Sequence, residues 1–385
     1  MTVLYILDYG VVGGATKAFV DLVHQMCQND ITPIVVTGKR SQLNEMLEQK
    51  GICTIEAGHY TALAPFSFKR LRWPLSYLKR FLQYWCSEYF AYRKLCREID
   101  FSKIDLIHTN SARNSLGGRL SRKKGIPHIV HIREFADKDF NCISFIPNYI
   151  FFLNETSTSF ISVSKSVCNY WNDKGIDPSK NNVIYDGVNY RDIKPKESFH
   201  TDCLRMVMVG GVVPTKGQHL AVEAIGKLPD DIRKHVSLDI LGWFDANYVN
   251  EMKNYSSARG FQGNIRFLGA VNDVHDRLCC YDIGLMCSKS EGFGLVTAEY
   301  MHAGLGVIAS DSGACPEIVD HRETGLLFKS GDSDDLAKRI LEFYNDRTLL
   351  VNCSKKARIK AKERFTDEIN AANIIKMYKN ILENK

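Results

Sequence analysis

The chain has 385 residues, enough for two or three domains with sizeable cores. Apolar residues at 45% and charged residues at 24% exclude a disordered, collagen-like or coiled-coil protein. Lysine and arginine outnumber aspartate and glutamate by only 50 to 44, a surplus that says little about partners unless it is concentrated somewhere.

The first apolar run, in MTVLYILDYG, has no basic flank and ends at Asp8, so it reads as a buried strand and not as a signal peptide. From there β-branched runs alternate with helical patterns along the whole chain, the pattern of parallel sheets covered by crossover helices. Strands are expected at Val3–Leu7, Pro33–Thr37, Asp105–Thr109, His128–Ile132 and Phe160–Val163, with helices such as Thr16–Gln28 and Ser164–Asp173 between them. Tyr185–Ser198 is polar and turn-rich and reads as a linker. A second series of strands is expected at Arg205–Val209, Ser237–Leu241, Ile265–Leu268, Ile283–Cys287 and Gly306–Ser310, before a helical tail whose last helix covers Thr366–Leu382. The expected fold is α/β with two Rossmann-like domains, residues 1–190 and 191–364, facing across a cleft that holds the ligand; 365–385 form a helix returning to the first domain.

The 12 cysteines contain no C-x-x-C pair and read as reduced, mostly buried thiols. No segment approaches the roughly 18–20 apolar residues of a membrane span; the nearest, Phe145–Leu153, is broken by Pro147 and Asn148. A cytoplasmic location is expected.

The densest motif is SEGFGLVTAEYMHAG, Ser290–Gly304, directly after the buried run IGLMC. Glycines 292 and 294 beside a helix start expose backbone N–H groups where the helix dipole favours a phosphate. Glu299, more than a turn into that helix, is placed to accept from vicinal ribose hydroxyls, and Glu291 from those of a second sugar. In MVGGVVPTKGQHLAVEAI, Met208–Ile225, Lys216 precedes a helix expected near Gln218, where a cation neutralises a departing diphosphate. In DYGVVGGATKAFVDLV, Gly10, Gly13 and Gly14 let a ligand approach the backbone, but the spacing is not the dinucleotide fingerprint.

With SDSGACPEIVDHRETGLLF (Ser310–Phe328) and NIRFLGAVNDV (Asn264–Val274), these passages resemble a retaining glycosyltransferase of family 4 with the GT-B fold. The resemblance implies that Lys216 contacts the donor diphosphate and Glu299 the donor ribose. Glu291, with Gly292, Phe293, Gly294 and Leu295, would hold the donor sugar and phosphates, and Gly13 and Gly14 would face the diphosphate from the first domain. Two positions depart from the family pattern. Gly211 stands where members often carry an arginine. The histidine that members place at the end of the fourth N-terminal strand falls in PHIVHIREF, where either His131 or Arg133 is the residue nearest the sugar. His108, Asn110 and Glu134 are the acceptor-side candidates.

No metal or other cofactor is expected. Asp137-Lys138-Asp139 and Asp332-Ser333-Asp334 match an acid-x-acid metal pattern, but the second sits where a helix N-cap belongs.

The positive charge proves concentrated. Residues 65–97 hold eight cations, among them Lys69, Arg70, Arg72, Lys79 and Arg80, against the single acid Glu88. Beyond Pro74, Leu75, Leu78, Leu82, Trp85, Tyr89 and Tyr92 recur at helical intervals. The segment reads either as a helix resting on anionic headgroups through Arg72, Trp73, Lys79, Arg80 and Trp85, or as a stripe packed on the domain with a solvated basic face.

The implied activity is retaining transfer of a sugar from a nucleoside-diphosphate sugar, a UDP-sugar foremost, to a lipid-linked or cell-surface polysaccharide acceptor at the cytoplasmic membrane face, with no nucleic acid involved. A GT-B nucleotide-sugar epimerase and an inactive saccharide- or nucleotide-binding module are the alternatives.

Overall fold

The computed structural model describes residues 1–8, 13–65, 73–136 and 142–384, the side chain of Trp73 excepted. Gly10, Lys69, Arg70, Arg72, Asp137 and Asp139 lie outside the described residues. Two compact units emerge: Met1–Gly187 with Asp367–Lys385, and Val188–Thr366.

In the first unit seven strands form one parallel sheet. They are β1 (Thr2–Ile6), β2 (Thr32–Thr37), β3 (Cys53–Glu56), β5 (Leu106–Thr109), β6 (His128–Ile132), β8 (Ser159–Ser162) and β9 (Asn181–Val183), in the order β3-β2-β1-β5-β6-β8-β9. Short β4 (Leu63–Pro65) and β7 (Cys142–Ser144) pair antiparallel beside it. The central strands are buried on both faces, which is why they read as unbroken apolar runs. On one face Tyr5, Phe19, Val23, Ile129 and Ile161 pack with Ala371, Ile374 and Tyr378 of the last helix, Asp367–Glu383, so that helix is part of this unit's core.

The second unit has six parallel strands: β10 (Leu204–Val209), β11 (Val236–Leu241), β12 (Ile265–Gly269), β13 (Ile283–Met286), β14 (Gly306–Ser310) and β15 (Leu326–Phe328), ordered β12-β11-β10-β13-β14-β15. Its core gathers Met206, Leu238, Ile283 and Ile308 from the sheet with Leu220, Ile225, Leu336 and Phe343 from the covering helices.

The turn-rich segment Tyr185–Ser198 contains the boundary between the units and is anchored to each by buried charge: Lys196 Nζ lies 3.1 Å from Asp282 Oδ1, both side chains almost fully enclosed, and Asp186 is paired with Arg133. Two expectations, on the cysteines and on the basic segment, are narrowed by the structure. The cysteines are all free, but only Cys168, Cys287, Cys315 and Cys353 are buried; Cys27, Cys53, Cys86 and Cys280 are exposed, three of them on the outer sides of helices or an edge strand.

Of the two readings of the basic helix, Trp73–Glu98, the one that packs the leucine stripe on the domain is not what the structure has. Leu75 is 69% exposed, and Leu78, Leu82 and Tyr89 are also open. The buried face is Tyr84, Glu88, Ala91 and Leu95, a set spaced by four, three and four residues. The one acid of the segment is thus turned inward, where Glu88 Oε2 meets Arg119 Nε at 2.9 Å. No helix among the described residues is long and apolar enough to cross a membrane.

Candidate active site

The second unit's site is built where β10 and β13 end. Pro214–Lys216 make a 3-10 turn after β10, and Gly217, at φ +72°, opens the helix Gln218–Gly226. A Cβ on Gly217 would stand 2.2 Å from the carbonyl oxygen of Cys287, just past β13, so only glycine permits this contact. The Lys289 N–H donates to Thr215 O at 3.1 Å and ties the two loops again. Held in this way, Lys216 Nζ donates to Glu291 Oε2 at 2.9 Å, with both side chains partly open to solvent.

Gly294, at φ +90°, caps the helix Leu295–Ala303. The first bonds back to Gly294 O come from Thr297 and Ala298, so the amides of Leu295 and Val296 precede them at the positive end of the helix. Phe293 is buried edge-on against Phe365, which leaves its backbone and not its ring to the site. The same helix carries Glu299, whose Oε1 lies 3.2 Å from His275 Nε2. Its seating on the sheet comes from Tyr300: the hydroxyl accepts from the Val209 N–H at 2.8 Å, and the ring covers Gly284, where a Cβ would be 2.2 Å away. Lys216, Glu291, Gly292, Phe293, Gly294, Leu295 and Glu299 are therefore placed on adjacent strand ends.

Gly211 has a different role from the arginine its position suggested. A Cβ there would fall 2.8 Å from Cζ2 of Trp243, so the indole occupies the space a longer residue needs. Neither Trp243 nor His275 was singled out from the sequence: Trp243 follows only a glycine at a strand end, and His275 stands one residue past the passage Asn264–Val274.

In the first unit, Gly13 caps the helix Gly14–Gln28 in an extended conformation, and a Cβ on it would meet nothing within 4 Å. His108 and His131 are wholly buried. His108 Nε2 faces His131 Nδ1 at 3.3 Å, His108 Nδ1 bonds the Tyr378 hydroxyl, and that hydroxyl meets Tyr5 Oη at 3.2 Å. Burial, reinforced by the Arg133 charge, drives the pKa of His108 down to about 3 and that of His131 well below the usual range. Both rings are neutral, which fits packed strand histidines.

Arg133, by contrast, lies past the end of β6. Its Nη1 pairs with Asp186 at 2.6 Å and its Nε donates to Asn110 Oδ1 at 2.9 Å. Beside it Glu134 accepts from the Ser111 hydroxyl at 2.7 Å, and burial lifts its carboxyl to about 7.

Asp332 is a helix cap: its side chain accepts from the amides of Asp334 and Asp335. Among the described residues no group of three or more His, Cys, Asp or Glu side chains is gathered to hold a metal ion.

Two parallel-sheet units, one with a cation, a helix N-terminus and two carboxylates at its strand ends, define a protein of the glycosyltransferase class with the GT-B fold. Profiles of two families agree: Glycosyltransferase Family 4 over residues 12–191 and glycosyl transferases group 1 over residues 189–360. The chain belongs to the family-4 type of GT-B glycosyltransferases. It is 29% identical over 259 residues to an uncharacterized glycosyltransferase of Methanocaldococcus jannaschii, covering 65% of this chain and 68% of that one. It is 25% identical over 299 residues to the UDP-Gal:alpha-D-GlcNAc-diphosphoundecaprenol alpha-1,3-galactosyltransferase of Escherichia coli, covering 71% and 73%. The fold matches Anabaena HepE, solved with UDP and glucose, at a TM-score of 0.79 and 20% identity over 99% of this chain and 100% of that one.

Proposed function

We propose that the protein moves a sugar from a UDP-sugar, with retention at the anomeric carbon, to a lipid-linked or cell-surface polysaccharide acceptor at the cytoplasmic membrane face. The observation that carries this reading is the Lys216–Glu291 pair, 2.9 Å apart, ahead of the helix that Gly294 caps. A diphosphate arriving there draws the Lys216 ammonium away from Glu291 and meets the Leu295 and Val296 amides. Glu291 is then released to accept from sugar hydroxyls, while Glu299 accepts from the ribose.

In the transfer step the bond between the anomeric carbon and the diphosphate oxygen breaks and its electron pair leaves with the diphosphate. The acceptor oxygen forms the new bond on the same face, and its proton passes to the departing diphosphate. No enzymic nucleophile takes part. Lys216 and the helix N-terminus offset the growing negative charge, a role in which one donor contributes about 3–4 kcal/mol to the barrier. Activity is accordingly expected to survive chelation of divalent metals.

The E. coli relative named for UDP-Gal and a diphosphoundecaprenol-linked acceptor, and the UDP held by HepE, support the donor and acceptor classes. The open leucines of the helix Trp73–Glu98, beside Lys79 and Arg80, support contact with an anionic membrane.

The test incubates the protein with UDP-, GDP- and ADP-sugars and an undecaprenyl-diphosphate saccharide, following diphosphate release and product anomer by NMR. Transfer from a UDP-sugar with the donor's anomeric configuration is expected. Inverted product refutes the retaining step. Donor isomerised without acceptor establishes an epimerase, and no release from any donor leaves a binding module.

A further inference from the structure

Four large apolar side chains of the second unit are exposed, and three of them lie together at one end of the sheet. Trp243 is 63% exposed and Phe244 47%, just past β11, and Leu268 is 36% exposed near the end of β12. Phe244 reaches Gly269, its Cε1 3.9 Å from where a Cβ would be, so the patch is continuous across the two strand ends.

The patch is also rigidly joined to the lysine loop. The Gly210 N–H donates to Leu241 O at 2.9 Å and the Val212 N–H to Trp243 O at 2.8 Å. Gly242, at φ +143°, lies so close to Gly210 that a Cβ would overlap its carbonyl oxygen, and the indole covers Gly211. A side chain at 211 would require the Trp243 indole to move off the backbone it covers.

The strand order then sorts the chemistry. The diphosphate cradle stands at β10 and β13. On its β14 side the strand end is polar, with the Ser310 and Ser312 hydroxyls both bonding Ser288 O. On its other side, at β11 and β12, lies the aromatic patch, next to the helix Val274–Leu278 that supplies His275 to Glu299. Of the two ends of a nucleoside-diphosphate sugar, the base is the one with a planar π face for an indole, and the patch lies on the side from which His275 reaches the ribose-binding candidate Glu299.

We propose that Trp243 is a positioning residue for the donor, a platform on which the nucleobase stacks, so that this chain gains through the base part of the hold that a cation at 211 gives elsewhere. The inference rests on the donor-site reading above. Because a stack is tolerant of ring type, Trp243 sets the strength of nucleotide binding and not the choice between bases.

The experiment measures binding of UDP, GDP, ADP and inorganic pyrophosphate to the full chain by calorimetry, for wild type, Trp243→Ala, Trp243→Phe and Lys216→Ala. For whichever nucleotide wild type binds best, Trp243→Ala is expected to weaken affinity about tenfold, with Trp243→Phe recovering most of it. Pyrophosphate binding stays unchanged in both, while Lys216→Ala weakens nucleotide and pyrophosphate alike. Nucleotide affinity unaltered in Trp243→Ala overturns the platform, as does an equal loss for pyrophosphate. If wild type binds none of the three nucleotides while folded, the donor-site reading itself fails, and the platform with it.

Discussion

The polar residues at the two sheets' strand ends are held in opposite ways. In the second unit Lys216, Glu291, Glu299 and His275 form pairs that remain partly open to solvent. In the first, Arg133 and Asp186 are about 95% enclosed and bonded to each other, and His108 and His131 are locked into a neutral chain ending at Tyr5. The contrast teaches that strand-end position alone does not make a ligand site. The open pairs are placed to exchange partners on the proposed reading; the closed ones are bonded chiefly to residues of their own unit.

The largest expected effect tests the closed side. Arg133→Met leaves Asp186 buried without its partner and is expected to cost about 3–5 kcal/mol in thermal or urea unfolding. Adding Asp186→Leu should restore most of that loss. An unchanged melting temperature in the single variant breaks the comparison.

Next comes pH. The Glu134 carboxyl titrates near 4.5 in an unfolded chain and at about 7 when folded, raised by burial. Between those values the folded state keeps a proton that the unfolded state has lost, so this group's contribution falls as pH rises from 4.5 to 7 and is flat outside the window. Glu134→Gln should match wild type near pH 4.5 and exceed it by on the order of 2–3 kcal/mol at pH 8. An identical difference at both pH values contradicts the buried, proton-holding carboxyl.

On the open side, Glu299→Gln should barely move the melting temperature but weaken UDP binding about tenfold, because a neutral amide accepts less strongly from ribose hydroxyls. His275→Ala serves as the control that keeps the carboxylate. The smallest effect per side chain concerns the basic helix. Each charge reversal in Lys79→Glu with Arg80→Glu should remove about 1 kcal/mol of attraction to phosphatidylglycerol vesicles, with wild-type sedimentation falling as salt rises. Equal pelleting of both proteins leaves the helix without a membrane role.

Much of this was legible in the sequence because the signals are local. Buried parallel strands such as TVLYI and HIVHI announce themselves as apolar runs, and Lys216, Glu291 and Glu299 stand at fixed offsets from glycines at strand ends. Asn181–Val183 and Leu326–Phe328 escaped, since three residues carry no periodicity. The direction of the basic helix stayed open between two readings: its leucines and its Tyr84–Leu95 face have the same spacing, and only packing chooses between them. Contacts between distant residues left no trace at all. Tyr5 and Tyr378 are 373 positions apart, and Trp243 reaches Gly211 across two loops.

On the proposed reading, Lys216 serves the departing diphosphate and not the fold. Diphosphate release from a UDP-sugar in the presence of acceptor, compared between wild type and Lys216→Ala at matched melting temperatures, tests it most directly. Turnover is predicted to fall roughly 100- to 1,000-fold while the melting temperature holds. Equal turnover by a folded Lys216→Ala protein would contradict the claim outright.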